Sequence, residues 1–260
     1  MSDQRWRLLV TPPAPGVENM ALDEALMTRA RQTGEWTLRV YGWSAPTISL
    51  GRNQSAMRHY DRERIRHRGL SVVRRPTGGR AILHHREITY SVTGPASSAG
   101  SERESYRRIN RLLVLALAKL GVDAGVAPKR ECARIPDATP CFERPAEGEL
   151  TFGGRKIAGS AQWRSEGALL QHGSILIADD QGRLADVSLS AERPALPVPA
   201  TLAEAMGRIP TLSEAATAFA DSIRELEDPD PAPLELDDEM RARTSSLVVQ
   251  YSDDSWTWRR

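Results

Sequence analysis

The chain is poor in the features that mark secreted, membrane and metal-binding proteins. Only two of its 260 residues are cysteines, Cys132 and Cys141, which is too few for a disulfide framework and lacks metal-ligand spacing. No apolar run approaches the roughly 18 residues that a membrane span needs. The N-terminus MSDQRWRLLV has no apolar signal-peptide core. We therefore expect a cytoplasmic protein that holds no metal.

Lysine is also scarce. Of the 35 lysines and arginines only three are lysines, Lys119, Lys129 and Lys156, so nearly every cation is an arginine. An ammonium is a compact charge whose pKa shifts readily on burial, whereas a guanidinium stays charged. A lysine next to an arginine, as in Arg155-Lys156, is therefore a candidate for a chemical role that a guanidinium cannot perform, and not only for a positive charge.

The overall charge is close to balanced, but its distribution is uneven. The formal net charge is +1, which does not favour nucleic acid as a partner. Residues 58–80 carry eight arginines against two acids, and residues 221–240 carry nine acids against one arginine. Most such runs are solvated faces. The basic run is also a candidate docking face for an acidic protein.

Length and patterning predict an α+β protein. With 260 residues, 40% of them apolar, the chain can bury a sizeable core. Strand-rich sequence with few crossover helices predicts a mixed, largely antiparallel sheet with packed helices. We expect a single domain over 1–260, with its core at about 17–226 and a helical tail at about 233–260.

The apolar periodicity and the turn residues place the main elements. Strands are predicted at 5–10, 36–43, 46–50, 70–73, 122–126 and 169–178, and helices at 16–32, 60–68, 102–120, 211–226 and 233–249. Residues 127–147 contain four prolines and have no period, which predicts a long loop of the kind that often forms a lid. Trp256 and Trp258 are predicted to dock on the body.

Two stretches carry the candidate site. Arg74–Ser91 reads RRPTGGRAILHHREITYS: a strand enters a glycine-rich bend with fixed positive charge, and a second strand leaves it. Adjacent glycines let the backbone approach a ligand closely. Spacing alone fits a surface hairpin equally well. The second stretch, Gly153–Ile177, starts with a predicted Gly-Gly hairpin that places Lys156 near the start of its second strand.

Together these stretches resemble the lipoate–protein ligase/biotin–protein ligase superfamily. The resemblance rests on the RR-x-T-G-G, K-I-A-G-S-A-Q and Q-H-G-S-I-L blocks and on NMALDEAL at Asn19–Leu26, so it spans most of the chain. It implies the catalytic fold of the biotin and lipoate ligases. Within the superfamily, the sequence is most similar to the octanoyltransferase (LipM-like) branch.

That branch places an acyl-accepting cysteine in the loop upstream of the motif lysine. Cys141, followed by Phe142, matches this cysteine, and Lys156 matches the lysine, which would lower the thiol pKa. Cys132 lacks the family match and is expected to be structural or incidental. The resemblance also implies a set of substrate-binding residues, namely Arg74, Arg75, Thr77, Gly78, Gly79, Arg80, His84, Ser160, Gln162, His172 and Gly173.

Arg80 departs from the ATP-dependent lipoate ligases, which usually continue the turn with a third glycine. A bulky cation after Gly78-Gly79, and the lack of a Walker-type loop, argue against ATP and for direct transfer from a thioester. No cofactor is expected.

The resemblance implies transfer of an octanoyl group from acyl carrier protein to a lipoyl-domain lysine. Acceptors would be lipoyl domains of 2-oxoacid dehydrogenases or the glycine-cleavage H protein, with no nucleic acid or membrane involved. Three alternatives remain open at this stage: an ATP-dependent lipoate ligase, an amidotransferase between lipoyl proteins, and a non-catalytic ligand-binding or regulatory module.

Overall fold

The computed structural model describes residues 4–128, 148–190 and 198–259. Most of the loop predicted at 127–147 lies outside these ranges, and so do Cys132 and Cys141. The structure thus describes the scaffold of the predicted site and Lys156, but not the predicted nucleophile.

Strands come in runs along the chain, and helices separate the runs. The strands of the described ranges are β1 (Trp6–Val10), β2 (Trp36–Tyr41), β3 (Thr47–Leu50), β4 (Ser71–Arg74), β5 (Ile82–His84), β6 (Glu87–Pro95), β7 (Gly125–Val126), β8 (Leu150–Phe152), β9 (Arg155–Lys156), β10 (Ala158–Ser165), β11 (Ala168–Leu176) and β12 (Ala232–Pro233). The helices are α1 (Gly16–Thr33), α2 (Ala56–His59), α3 (Arg62–His67), α4 (Glu102–Lys119), α5 (Arg183–Asp186), α6 (Leu202–Met206), α7 (Leu212–Leu226), α8 (Asp238–Ser252) and α9 (Asp254–Thr257).

A six-stranded mixed sheet forms the centre, in the order β10-β11-β6-β2-β1-β12. Strand β6 pairs antiparallel with both β11 and β2, whereas β1 runs parallel to β2 and β12. Helices α4 and α7 cover one face, and α1 with α8 lies on the other. This arrangement confirms the predicted α+β class. None of the helices in the described ranges is long and apolar enough to span a membrane.

Side-chain alternation along β6 separates the core from the polar side of the sheet. Ile88, Tyr90 and Val92 belong to the core cluster with α4 and α7. Thr89 and Ser91 point the other way, because successive side chains of a strand alternate, and Ser91 donates a hydrogen bond to Asp23 on α1. The polar network of the site therefore lies between the sheet and α1.

The long helices begin and end where their capping residues predict. Ser101 with Glu104 forms a capping box at the start of α4, and Thr211 with Glu214 does so for α7. Gly34 ends α1 in the left-handed conformation, with φ of 71°. The predicted helix at 233–249 begins later, at Asp238, because Pro233 lies in β12 and the Asp237 side chain caps the helix.

The strands on either side of the Arg74 turn do not pair with each other. Both β4 and β5 pair with β3, which lies between them in a three-stranded sheet. The surface-hairpin interpretation of this stretch is therefore wrong. The second predicted hairpin is confirmed: β8 pairs with β9, and Gly153 and Gly154 both have positive φ, as a two-residue type I′ turn requires.

Candidate active site

A cleft opens between the glycine-rich turn and strands β10 and β11. It encloses about 470 Å³, counting its open mouth. The turn and the strand after it contribute Arg75, Gly79, Ile82 and His84 to the lining. The remaining lining residues come from α1, the sheet and the segment after β2, namely Met20, Tyr41, Trp43, Thr89, Gly159, Ser160, Ala161, His172, Gly173 and Ser174.

Arg75 holds the turn in shape. Its guanidinium donates to the backbone oxygen of Ser49 at 2.9 Å, to that of Gly78 at 2.8 Å and to that of Arg80 at 2.8 Å. The side chain is 5% exposed and lines the cleft. A buried guanidinium that donates to several carbonyl oxygens fixes the backbone around it.

Arg74 faces away from the cleft. Its guanidinium donates to carbonyls of Gly51 and Gln54 and to those of Trp256 and Thr257 in the C-terminal tail. Burial, together with the charges of nearby arginines, lowers the Arg74 pKa to about 10. These contacts confirm that the tail docks on the body. They support a structural role for Arg74, and its direct contact with substrate stays a prediction.

Gly51 makes the turn's position possible. A Cβ built at Gly51 would lie 1.8 Å from the carbonyl oxygen of Gly79, so the two backbones pack directly against each other. Gly79 itself has φ of 92°, a conformation that other residues rarely adopt.

We expect Gly51→Ala to lower the free energy of unfolding by about 1–3 kcal/mol, the usual range for overpacking, and to reduce activity because the turn must shift. Urea denaturation and a transfer assay measure the two effects. Gly182→Ala is the matched control, since a Cβ at Gly182 meets nothing within 4 Å. Equal behaviour of the two variants would contradict the packing argument.

A chain of buried hydrogen bonds joins the turn to the helix α1. The Thr77 hydroxyl lies 2.7 Å from Nε2 of His172, and Nδ1 of His172 lies 3.1 Å from Oδ2 of Asp23. Asp23 also accepts hydrogen bonds from Arg39 at 2.8 Å and from Tyr41 at 3.0 Å. All these side chains are buried, so the network is shielded from water.

Burial, hydrogen bonds and neighbouring charges set the pKa values of Asp23 and His172 in this network. Burial alone would raise the pKa of Asp23, but the hydrogen bond from His172 and the charge of Arg39 outweigh it and leave the pKa lowered. Burial lowers the pKa of His172. An ionised carboxylate only accepts hydrogen bonds. His172 is therefore neutral near pH 7, with Nδ1–H donating to Asp23 and Nε2 accepting from Thr77.

His84 sits in a second polar cluster. Its Nδ1 lies 2.7 Å from Oε1 of Glu87 and its Nε2 lies 2.7 Å from the Ser49 hydroxyl. The ring stacks on Trp43, with centroids 3.9 Å apart. Both ring nitrogens are engaged, so His84 is held rigidly as part of the cleft wall.

Ser160 and Gly173 line the cleft where β10 pairs with β11. The Ser160 hydroxyl lies 2.7 Å from that of Tyr90. A Cβ at Gly173 would approach the Gly159 carbonyl oxygen to 2.4 Å, so glycine is needed for the strands to pair here. Gln162 lies outside the cleft lining, where its amide donates to Gln171 at 3.1 Å.

Lys156 is buried in an ion pair. Its Nζ donates to Oε1 of Glu149 at 2.7 Å, and the two side chains are only 2% and 9% exposed. The pairing follows from the hairpin, because Glu149 precedes β8 and Lys156 lies on the adjacent strand β9. A buried ammonium in an ion pair with a carboxylate is held in position by that contact.

Comparison with known proteins identifies the scaffold. Residues 15–224 match the family described as the lipoyl protein ligase A/B catalytic domain. The chain is 40% identical to the octanoyltransferase LipM of Symbiobacterium thermophilum and 39% identical to that of Kyrpidia tusciae, covering 99% of this chain and 100% of the relative in each case. The chain belongs to the lipoyl protein ligase A/B catalytic-domain family.

The fold of this family member agrees with a solved structure. The bipartite lipoate protein ligase of Thermoplasma acidophilum superposes with a TM-score of 0.79 over 98% of this chain and 96% of that chain, at 21% identity. At this identity the likeness shows the shared fold alone. Helices α8 and α9 lie beyond the residues that match the family, and Trp256 and Thr257 of α9 accept hydrogen bonds from Arg74.

Three residues that position predicted site residues in this family member were not themselves predicted. Asp23 contacts His172, Glu87 contacts His84 and Glu149 contacts Lys156. Asp23 lies in the NMALDEAL block, where an acid on the otherwise apolar face of a helix was the available signal. In the part of the chain that the structure describes, no cluster of three or more candidate metal ligands occurs.

Proposed function

We propose that this chain transfers an octanoyl group from acyl carrier protein to a lipoyl-domain lysine by way of a Cys141 thioester. The chain is an octanoyltransferase, as its full-length relatives at 39–40% identity are. That relationship is the observation that carries the proposal. The apolar part of the cleft lining, including Met20, Trp43 and Ile82, supports an alkyl chain as the bound group.

In the first step the Cys141 thiolate attacks the octanoyl thioester. The new carbon–sulfur bond forms as the carrier thiolate leaves, and that thiolate then takes a proton. Exchange of one thioester for another is nearly balanced in energy, so catalysis depends on positioning and on a ready thiolate.

In the second step the neutral amine of the acceptor lysine attacks the acyl-enzyme. The Cys141 thiolate leaves, and the proton lost by the nitrogen protonates a thiolate or enters solvent. Amide formation makes this step effectively one-way. Lys156 would stabilise the Cys141 thiolate and the developing oxyanion, and Glu149 sets the position of its ammonium.

The acceptors are proposed to be lipoyl domains. The Thermoplasma acidophilum ligase was solved in a study of that ligase and its E2 lipoyl domain, which supports this class of acceptor. The same proposal names an acyl carrier protein as the donor. It names dehydrogenase lipoyl domains or the glycine-cleavage H protein as acceptors, and it places the reaction in the cytoplasm.

The predicted basic docking face is weaker than its arginine count indicates. Arg74 and Arg75 are buried. Each arginine of α3, and the one after it, has an acidic partner: Arg62 with Asp254, Arg64 with Asp61, Arg66 with Glu63 and Arg68 with Asp186. Two of these acids come from distant segments, which is why a local count overestimates the charge. Carrier-protein docking through this face therefore receives only limited support.

The proposed reaction is tested by intact-mass measurement. Mixing the protein with octanoyl carrier protein should add one octanoyl group, and adding a lipoyl domain should move that group to the domain. Parallel reactions with free lipoate and ATP test the ligase alternative, and an octanoylated lipoyl protein as donor tests the amidotransferase alternative. Failure of octanoyl carrier protein to give an adduct would refute the proposal.

A further inference from the structure

A second cavity adjoins the cleft between the glycine-rich turn and strands β10 and β11, which we call the acyl cleft. Gly79 lines both cavities. The second one spans about 650 Å³, counting its open mouth, and its other lining residues are Asn53, Gln54, Ser55, His59, Gly78 and Arg80. This lining contains no acidic side chain and no large apolar one among the described residues. Its chemistry therefore differs from that of the acyl cleft.

The carbonyl groups of the turn point into the protein. Gly78 and Arg80 both accept hydrogen bonds from Arg75 through their backbone oxygens, and the oxygen of Thr77 accepts from the Arg52 amide at 2.8 Å. The Gly79 oxygen packs against Gly51. The negative ends of four successive peptide groups are thus engaged in contacts within the protein, so they oppose an anion in the second cavity less strongly.

Among the described lining residues of this cavity, Arg80 carries the permanent positive charge. It lines the second cavity and is absent from the lining of the acyl cleft. His59, Ser55 and Asn53 add groups that can donate hydrogen bonds. A guanidinium and several polar donors around one space match the oxygens of a phosphate group.

We propose that this second cavity binds the phosphate of a phosphopantetheine thioester, with Arg80 as its principal cation. The inference rests on the proposed function, in which the octanoyl group arrives as a thioester on such an arm. The donor has an apolar acyl chain on one side of the thioester and a polar arm ending in phosphate on the other. Two adjoining cavities of matching chemistry suit these two parts.

Arg80 then has a role in donor binding. The arginine after Gly78-Gly79 does more than fill the space that a third glycine would leave open. It recognises the donor's arm, whether that arm is attached to carrier protein or to coenzyme A, since both carry a phosphate on the 4′-oxygen of pantetheine. Discrimination is therefore expected between donors with and without the phosphate.

The test measures kcat/KM for acylation of the enzyme with three donors: octanoyl carrier protein, octanoyl-coenzyme A and octanoyl-pantetheine, which has the arm but no phosphate. We expect Arg80→Gln to lower kcat/KM at least about tenfold with the two phosphate-bearing donors. With octanoyl-pantetheine the change should stay within about twofold. The matched control is Arg111→Gln, which removes an exposed arginine of α4 that lines neither cavity and lies outside the basic run at 58–80.

Each other outcome overturns the proposal. Equal loss with all three donors would mean that Arg80 only maintains the turn. Loss with carrier protein alone would assign Arg80 to a protein–protein contact, and no loss would leave it without a role in donor binding. If the unmodified enzyme forms no adduct with any donor, the proposed function fails instead, which is a separate result.

A competition experiment adds a measurement that does not depend on turnover. In the unmodified protein, 4′-phosphopantetheine should compete with octanoyl-coenzyme A at least about tenfold better than pantetheine does. The Arg80→Gln protein should lose this difference. Equal competition by the two compounds in the unmodified protein would contradict a phosphate site.

Discussion

Replacing Cys141 with serine should abolish the octanoyl-enzyme adduct and slow transfer to a lipoyl domain at least about a thousandfold. A serine hydroxyl stays protonated near neutral pH, so Lys156 would have no anion to stabilise. The adduct is measured by intact mass after mixing with octanoyl carrier protein, and transfer by the mass of the acceptor domain.

Cys132→Ser is the matched control for this experiment. Both cysteines lie in the same segment outside the described residues, and only Cys141 is proposed as the acyl-accepting residue. The Cys132→Ser protein should keep its adduct and its rate. Loss of the adduct in that variant, with full activity in Cys141→Ser, would assign the nucleophile to Cys132.

Asp23→Asn should lower the free energy of unfolding by about 3–5 kcal/mol, because it leaves the buried Arg39 charge without its counterion. The Arg39 and Asp23 side chains are 1% and 0% exposed, so water cannot replace the lost partner. Asparagine keeps one acceptor oxygen but replaces the other with an NH2 donor, which disturbs the hydrogen bonds that fix His172 and, through it, Thr77 of the turn. Activity should therefore fall along with stability.

Urea denaturation of Asp23→Asn is compared with that of Glu63→Gln. Glu63 pairs with Arg66 on the exposed surface of α3, where an ion pair contributes little. A loss below about 1 kcal/mol for Asp23→Asn would contradict the assignment of Asp23–Arg39 as a buried structural pair.

The shifted pKa values of Asp23 and His172 predict how the free energy of unfolding changes with pH. The folded-state pKa of Asp23 is lowered, so its stabilising contribution is present above the ordinary carboxyl pKa and is lost as the pH falls through the folded value. The lowered pKa of His172 acts in the same direction, beginning below its ordinary value of 6.5, because the unfolded chain takes up a proton that the fold resists. Asp23→Asn should remove the first contribution.

Local patterns of the sequence determined most of the elements. The apolar stripe and capping box of α4, the paired glycines of the β8–β9 hairpin and Gly34 after α1 each specify their structure within a few residues. The position of the Arg74 turn and the motifs of the family resemblance could be predicted for the same reason. Each depends on a short stretch of neighbouring residues.

Tertiary structure alone decided which side chains meet. Arg74 and Arg75 are adjacent, yet one holds the C-terminal tail and the other the cleft turn, because side chains of an extended segment alternate. Asp23 and His172 meet across 149 residues, and Lys156 pairs with Glu149 only because the hairpin folds back. The partner of a buried charge depends on how distant segments pack, and a linear pattern does not contain that information.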